Sequence, residues 1–312
     1  MDIIWFGEGK KINFKMIKDV EVSFITVNYN GLDDTMELLT SIANLQKNDI
    51  SFETIVVDNA SKEDPEPKIL SNFPFVNLLK SSTNLGFAGG NNLGIKHAKG
   101  KYLFFINNDT IVSDDLVEIL LQRFKENDQL GMLSPKIKFH ETNIIQYAGF
   151  SPLNVLSRNF AYGNKREDGS EYEEFLNTYA GHGAAMMVPM KVIEKVGAMP
   201  EFYFLYYEEL DWAQQIARAG FEIKVEQKAK IYHKESMSVG KNSPFKTYYM
   251  NRNRILFVKR NFNGIKRFIG LFYLFFIVSP SKLLKYFIYR EKDHFKAYLN
   301  AVKWHLNTPK YE

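Results

Sequence analysis

Two segments carry the side chains that could do chemistry. The apolar run Lys101–Ile106 ends on Asn107-Asn108-Asp109, and Tyr206-Tyr207-Glu208-Glu209-Leu210-Asp211-Trp212 sets three acids among aromatic rings. A carboxylate carried to the carboxyl edge of a sheet by a buried strand can hold a divalent cation beside a diphosphate. Acids among rings have a different use. Desolvation raises a carboxylate's pKa, which suits a general base near neutrality, and the rings themselves offer a floor for sugars. Each segment also has a plainer reading. Three acids at a helix start favour the macrodipole while solvated, and Ser113-Asp114, just after Asp109, suit a helix cap.

Three weaker signals accompany them. Asp58, in Asp58-Asn59-Ala60-Ser61, can accept from a base N–H or a ribose hydroxyl, but the tetrapeptide is equally an ordinary turn. Asn84-Leu-Gly86-Phe-Ala-Gly-Gly-Asn-Asn92 fits neither the dinucleotide glycine spacing nor the Walker lysine pattern. It allows close backbone approach to a nucleotide at a helix start, or simple entry into a helix. His233, after the apolar run Ile223–Tyr232, could share a metal with Asp109; a lone histidine is also commonly structural.

These residues need a scaffold. Val22–Val27, Phe52–Asp58, Val76–Lys80 and Lys101–Ile106 read as near-continuous apolar strands. Helical stretches over 33–45, 65–71 and the glycine-rich segment to about Gly100 alternate with them. That alternation predicts an α/β fold, a mostly parallel central sheet flanked by helices, with ligands at the strand exits. From Gly131 to Ala180 the pattern loosens into short strands and a polar insertion, Asn164–Glu174, expected to be mobile. Val192–Val196 and Glu208–Ala219 read as helices, and Ile223–Tyr232 as the last strand. The domain reading is a catalytic unit over 1–247, with a nucleotide half at about 20–110 and an acceptor half at 111–247. A helical, basic and aromatic extension follows over 248–312.

Bulk composition narrows the classes. The 312 residues contain no cysteine, which excludes disulfides and thiolate metal sites and fits a reducing compartment. Met1–Trp5 lacks the pattern of a signal peptide, so a cytoplasmic location is expected. The formal charge of +4 is unevenly spread: residues 250–312 carry +10 and the rest −6. A basic aromatic tail on an acidic body points to a polyanionic surface. The tail matches no nucleic-acid-binding motif. Its apolar stretch, Phe268–Val278, is eleven residues long and meets Ser279-Pro280-Ser281, too short for a span of roughly 20 residues. An anionic membrane surface is the favoured partner. A packed helical subdomain or a homodimer interface is the alternative.

Taken in order, Val22–Asn30, Ile55–Ser61, Asn84–Asn92, Asn107–Thr110, Gly183–Met186, Phe204–Asp211 and Tyr232-His233 resemble the family 2 glycosyltransferases of GT-A fold, in particular their rhamnosyltransferase-like branch. The resemblance runs from about 20 to 260. It implies that Thr26, Asn28, Asn30 and Asp58 line a nucleotide site, with Asn84 and Gly86 against it. It puts Asn107-Asn108-Asp109 at the family's D-x-D motif, with Asp109 the principal ligand of Mg2+ or Mn2+ and His233 its helper. Gly183 and Ala184 would border the donor sugar, with Tyr207 and Trp212 as stacking surfaces. Glu209 takes the place of the general base, usually Asp, with Glu208 and Asp211 as substitutes. The implied reaction is inverting transfer of a sugar from a nucleotide-sugar donor to a glycan or polyprenyl-diphosphate-linked glycan. Rhamnose is favoured, and a hexosamine, galactose or galactofuranose remains open. The rival classes are a nucleotidyltransferase and a carbohydrate-binding scaffold without catalysis.

Overall fold

The computed structural model describes residues 19–45, 50–234 and 242–307; the amino-terminal segment read for a signal peptide lies outside them. The first half follows the alternation read from the sequence: β1 (Val22–Asn28), α1 (Leu32–Asn44), β2 (Phe52–Asn59), α2 (Glu66–Asn72), β3 (Val76–Ser81), α3 (Gly86–Ile95) and β4 (Tyr102–Ile106). There follow β5 (Thr110–Val112), α4 (Leu116–Glu126), β6 (Leu130–Phe139), β7 (Ile145–Tyr147), β8 (Leu176–Asn177), β9 (Ala185–Pro189), α5 (Met190–Val196), α6 (Glu208–Arg218) and β10 (Glu222–His233). The sheet order is β3-β2-β1-β4-β9-β6-β10-β5, with β7 on β6 and β8 on β10. Strands β1 to β4, β6 and β10 run one way, while β9 runs antiparallel between β4 and β6.

Helices cover both faces, which is why the strands read as unbroken apolar runs. On one side Phe24, Phe104 and Leu133 pack against Leu38 and Ile42 of α1 and Leu116 and Leu120 of α4. On the other, Ile25, Phe105 and Met186 meet Ala88 of α3, Val192 of α5 and Trp212 and Ile216 of α6.

Three expectations need correction. The stretch after Gly131 is not loose, since β6 is a ten-residue strand parallel to β10. The insertion over 164–174, expected to be mobile, is anchored to β6 through Asp168. Asp168 accepts from Lys136 Nζ at 2.5 Å and lies 3.4 Å from Lys138 Nζ, with all three side chains nearly closed to solvent. The domain boundary at 247/248 falls inside α7 (Pro244–Asn261), whose Ile255, Leu256 and Phe257 form a core with Leu153 and Tyr203. The beginning of the extension is therefore part of the catalytic body.

Beyond α7 come α8 (Gly264–Phe272), a π-helical turn (Tyr273–Val278), α9 (Ser279–Ile288) and α10 (Lys292–Asn307). Ser279-Pro280-Ser281 does not break the chain here. Gly264–Ile288 is one continuous helix of 25 residues, long and apolar enough to cross a membrane. Proline at the start of α9 is tolerated because the wider π-turn before it has already disturbed the regular hydrogen-bond ladder.

Candidate active site

Strand polarity collects the chemistry at one edge. The carboxyl ends of β1, β2, β4 and β10 and the amino end of β9 all lie there, with Asn28 opposite Asp58 and Ile106 opposite Ala185. Asn28 is the hub of the first cluster. Its Nδ2 donates to Asp58 Oδ1 at 2.8 Å, and its Oδ1 accepts from Gly31 N and Thr35 Oγ1. Asp58 Oδ2 accepts from Ser61 N. Asn30 lies beside them, its N–H donating to Ser61 Oγ and its Oδ1 accepting from Lys62 N. Thr26 is fully buried within β1, with its hydroxyl closed to solvent and without a hydrogen-bond partner among the described residues.

The turn after β4 carries the second cluster. Asn107 N donates to Ala184 O at 3.0 Å, tying this turn to the amino end of β9. Asn108 Nδ2 donates to Gly31 O and Thr35 Oγ1 and so ties the turn to the first cluster. Asp109 Oδ1 stands 3.0 Å from His233 Nε2, both residues being 7% exposed. His233 Nδ1 stands 2.7 Å from Gln146 Oε1. When Nδ1–H donates to that oxygen, Nε2 faces a carboxylate, a contact that a proton on Nε2 or a bound cation between the two would each satisfy. Two adjacent ligands of an octahedral Mg2+, each at about 2.1 Å, stand about 3 Å apart, so the pair fits a divalent ion. Among the described residues no group of three or more His, Asp or Glu could hold a metal. The remaining ligands would have to come from substrate and water.

The sequence reading missed two residues here. Gln146 orients His233, and His182 lies with its ring 6.4 Å from that of His233. Burial, then the neighbouring His233, pushes His182 down to about 3, so it is neutral. Its Nδ1 accepts from Ala184 N, which leaves Nε2 as the donor. The only sequence clue was its place immediately before Gly183-Ala184.

The third cluster is the loop before α6. Phe204 has φ 64° and ψ −53°, with Leu205 N donating to Tyr203 O, a γ-turn, and Tyr206 and Tyr207 also have positive φ. Each such residue costs on the order of 1–3 kcal/mol and persists only when its surroundings hold it. Those surroundings are visible. Phe87 N donates to Phe204 O at 2.7 Å, and Gly86, at φ +73°, lies so close that a Cβ would sit 2.2 Å from that oxygen. Asn92 holds Met199 and Glu201. From α7, Asn253 Nδ2 lies 2.7–2.9 Å from the carbonyls of Tyr203, Leu205 and Tyr206, and Arg252 donates to Phe202 O and Tyr203 O.

The glycine–asparagine motif is thus committed mainly to shaping the acidic loop. Asn84, exposed, accepts from Gly86 N and Asn59 Nδ2. Asn253→Ala is expected to cost on the order of 2 kcal/mol by removing the amide donor from the part-buried carbonyls of Leu205 and Tyr206. It should also lower turnover at least about tenfold by moving the acids, because catalysis tolerates little displacement. Urea unfolding and steady-state rates check both effects; unchanged turnover would detach the loop from catalysis.

The acids divide by environment. Glu209, half-buried, is pushed up to about 6 by burial, partly offset by the backbone N–H groups of Glu209, Leu210 and Tyr207. Glu208 is buried and raised well above the carboxylate range by burial and then by the charge of Glu209. Asp211 is corrected as a substitute base. Fully buried, it accepts from Arg260 Nε at 2.8 Å and from Asn261 Nδ2, which makes it an anchor for α7. Trp212 is corrected as a stacking surface. It is fully buried, donates to Gly197 O and packs edge-on against Phe105. Tyr207 is half-buried against Phe257. Ala184 is buried, but a Cβ on Gly183 would meet only Phe87, so the backbone there borders open space.

Residues 23–197 match the protein family described as Glycosyl transferase family 2. The chain is 26% identical over 252 residues to the low-salt glycan biosynthesis hexosyltransferase Agl10 of Haloferax volcanii, covering 79% of this chain and 77% of that one. It is 29% identical over 124 residues to the poly-β-1,6-N-acetyl-D-glucosamine synthase of Staphylococcus epidermidis, 38% of this chain and 29% of that one. Among solved structures, a mannosyltransferase from Pyrobaculum calidifontis with GDP-Man and Mn2+ is similar at TM-score 0.57 and 13% identity, over 93% of this chain and 76% of that one. A GalNAc transferase with UDP, GalNAc and Mn2+ gives TM-score 0.60 at 12% identity, over 76% of this chain and 48% of that one. A family match over more than half the chain, on the fold its structural neighbours share, identifies the protein as a member of glycosyl transferase family 2, a glycosyltransferase of GT-A fold.

Proposed function

We propose that the chain transfers a hexose, with inversion, from a nucleoside-diphosphate donor to a hydroxyl of a glycan acceptor, using Mg2+ or Mn2+ held by Asp109 and His233. The observation that carries this reading is the 3.0 Å approach of Asp109 to His233 at the sheet edge that also bears the Asn28–Asp58 pair. Asp58, fixed by Asn28, accepts from the base or ribose of the donor. The backbone at Gly183 borders the sugar. Glu209 takes the proton of the acceptor hydroxyl as its oxygen bonds to the anomeric carbon, while the bond from that carbon to the diphosphate breaks. A divalent cation, when bound, offsets the charge on the departing diphosphate. One base, with no second enzymic nucleophile assigned among the described residues, supports a single inverting displacement. The sequence resemblance favours rhamnose among the hexoses. The acceptor glycan, free or carried on a polyprenyl diphosphate, is met at the cytoplasmic face of a membrane. A desolvated carboxylate at the start of α6 favours catalysis over a binding scaffold.

Thermal shifts with a panel of nucleoside diphosphates and nucleotide sugars, with and without Mn2+, test the reading. Stabilisation that needs both nucleotide and metal is expected, and uniform indifference to the metal would overturn it. The pH profile is a second check. A base must be deprotonated to act, so kcat/KM should fall about tenfold per pH unit below about 6 and level off above it. A profile level through pH 6 would remove Glu209 from the role.

A further inference from the structure

The continuous helix Gly264–Ile288 has two unlike edges. Its inner edge is committed to the body. Gly270 lies against Val258, Phe262 and the carbonyl of Val155, and Leu274 joins the core around α7. Ser279 Oγ donates to Leu274 O and lies 3.1 Å from the hydroxyl of buried Tyr298 on α10, and Lys266 Nζ donates to Leu153 O. The outer edge carries Ile265, Phe268, Phe272, Phe276, Leu284 and Phe287. Phe268 and Phe276 are each 66% exposed and Phe287 73%, and Phe272 stacks on Phe268 and Phe276. A continuous apolar ridge of this length on a water-facing surface marks an interaction site.

The charge around the ridge selects its partner. The helix holds no acidic residue, and Arg267 near its start and Lys282 and Lys285 near its end are basic and exposed, while Arg290 and Lys292 just beyond it alternate with Glu291 and Asp293. We propose that this helix docks the protein in the plane of an anionic phospholipid bilayer, with the phenylalanines among the acyl chains and the basic residues at the headgroups. Two other occupants fit less well. A two-fold contact with a second copy would bring the same basic cluster against itself. A span would have to carry the Lys266–Leu153 and Ser279–Tyr298 contacts, and the body attached to them, into hydrocarbon.

The test is flotation of the full chain with vesicles of phosphatidylcholine, alone and with phosphatidylglycerol. It reads no turnover and so stands apart from the donor and acid assignments. Binding only to the phosphatidylglycerol vesicles, reversed by alkaline carbonate, is expected. Phe272→Ser with Phe276→Ser should weaken binding at least about tenfold, and Lys282→Glu or Lys285→Glu about fivefold or more each. Circular dichroism melting of all three variants should match the parent, since these side chains face solvent. Failure to bind, or binding that resists carbonate, overturns the proposal, the latter in favour of a spanning helix. Dimerisation abolished by the phenylalanine pair without any flotation overturns it in favour of a second copy.

Discussion

Glu209→Gln is expected to cut turnover by about 10²–10⁴-fold while leaving donor binding intact, because amide and carboxylate match in shape and only one of them takes a proton. Stability supplies an internal control. With a folded-state pKa of about 6, above the ordinary 4.5, the ionised group opposes folding, and that opposition grows as pH rises from 4.5 to 6 and is complete above. Neutral Gln removes it, so the variant should melt no lower than the parent at neutral pH, and loss of rate cannot be put down to unfolding. Glu208 separates the two acids. Its deeper burial and the charge of Glu209 raise it further above the ordinary carboxylate range, and its Oε2 is buried without a hydrogen-bond partner among the described residues, so it is the less available base. Glu208→Gln should therefore retain far more activity than Glu209→Gln. If the order is reversed, the acids exchange roles.

Asp109→Asn should abolish the metal-dependent part of donor binding. An amide keeps the shape but loses the charge that a hard cation requires. Gln146→Leu provides the graded companion. It removes the group beside His233 Nδ1, and changes of that kind cost about 10–100-fold in metal affinity. Mn2+ titration in the presence of a nucleoside diphosphate reads both variants without turnover. Unchanged Mn2+ affinity in Asp109→Asn would mean that the ion binds elsewhere. A fall in Asp109→Asn with none in Gln146→Leu would keep the ligand and discard the orienting residue.

What the sequence determined by itself was whatever depends on neighbours along the chain. Apolar runs of strand length, with Asn, Asp or Ser at the exits of the first four, dictated an α/β fold with its chemistry at the strand exits, because a strand covered on both faces cannot hide its pattern. The acid–aromatic segment likewise declared a desolvated carboxylate, and the structure raises Glu209 as expected. Tertiary structure alone decided which members of each motif remain available to a ligand. Asp211 and Trp212 belong to the same run as Glu209, yet one turn of helix carries them into the core and onto Arg260, because helical residues a few positions apart face different neighbours. Gly86 and Asn92 sit in a segment that suggested a nucleotide cradle and instead shape the acidic loop more than 100 residues away. Local pattern cannot name such a partner. Asn253, Gln146 and His182 were silent for the same reason: an amide or imidazole has no meaning in a sequence until the fold brings a carbonyl, a metal ligand or a second ring within reach.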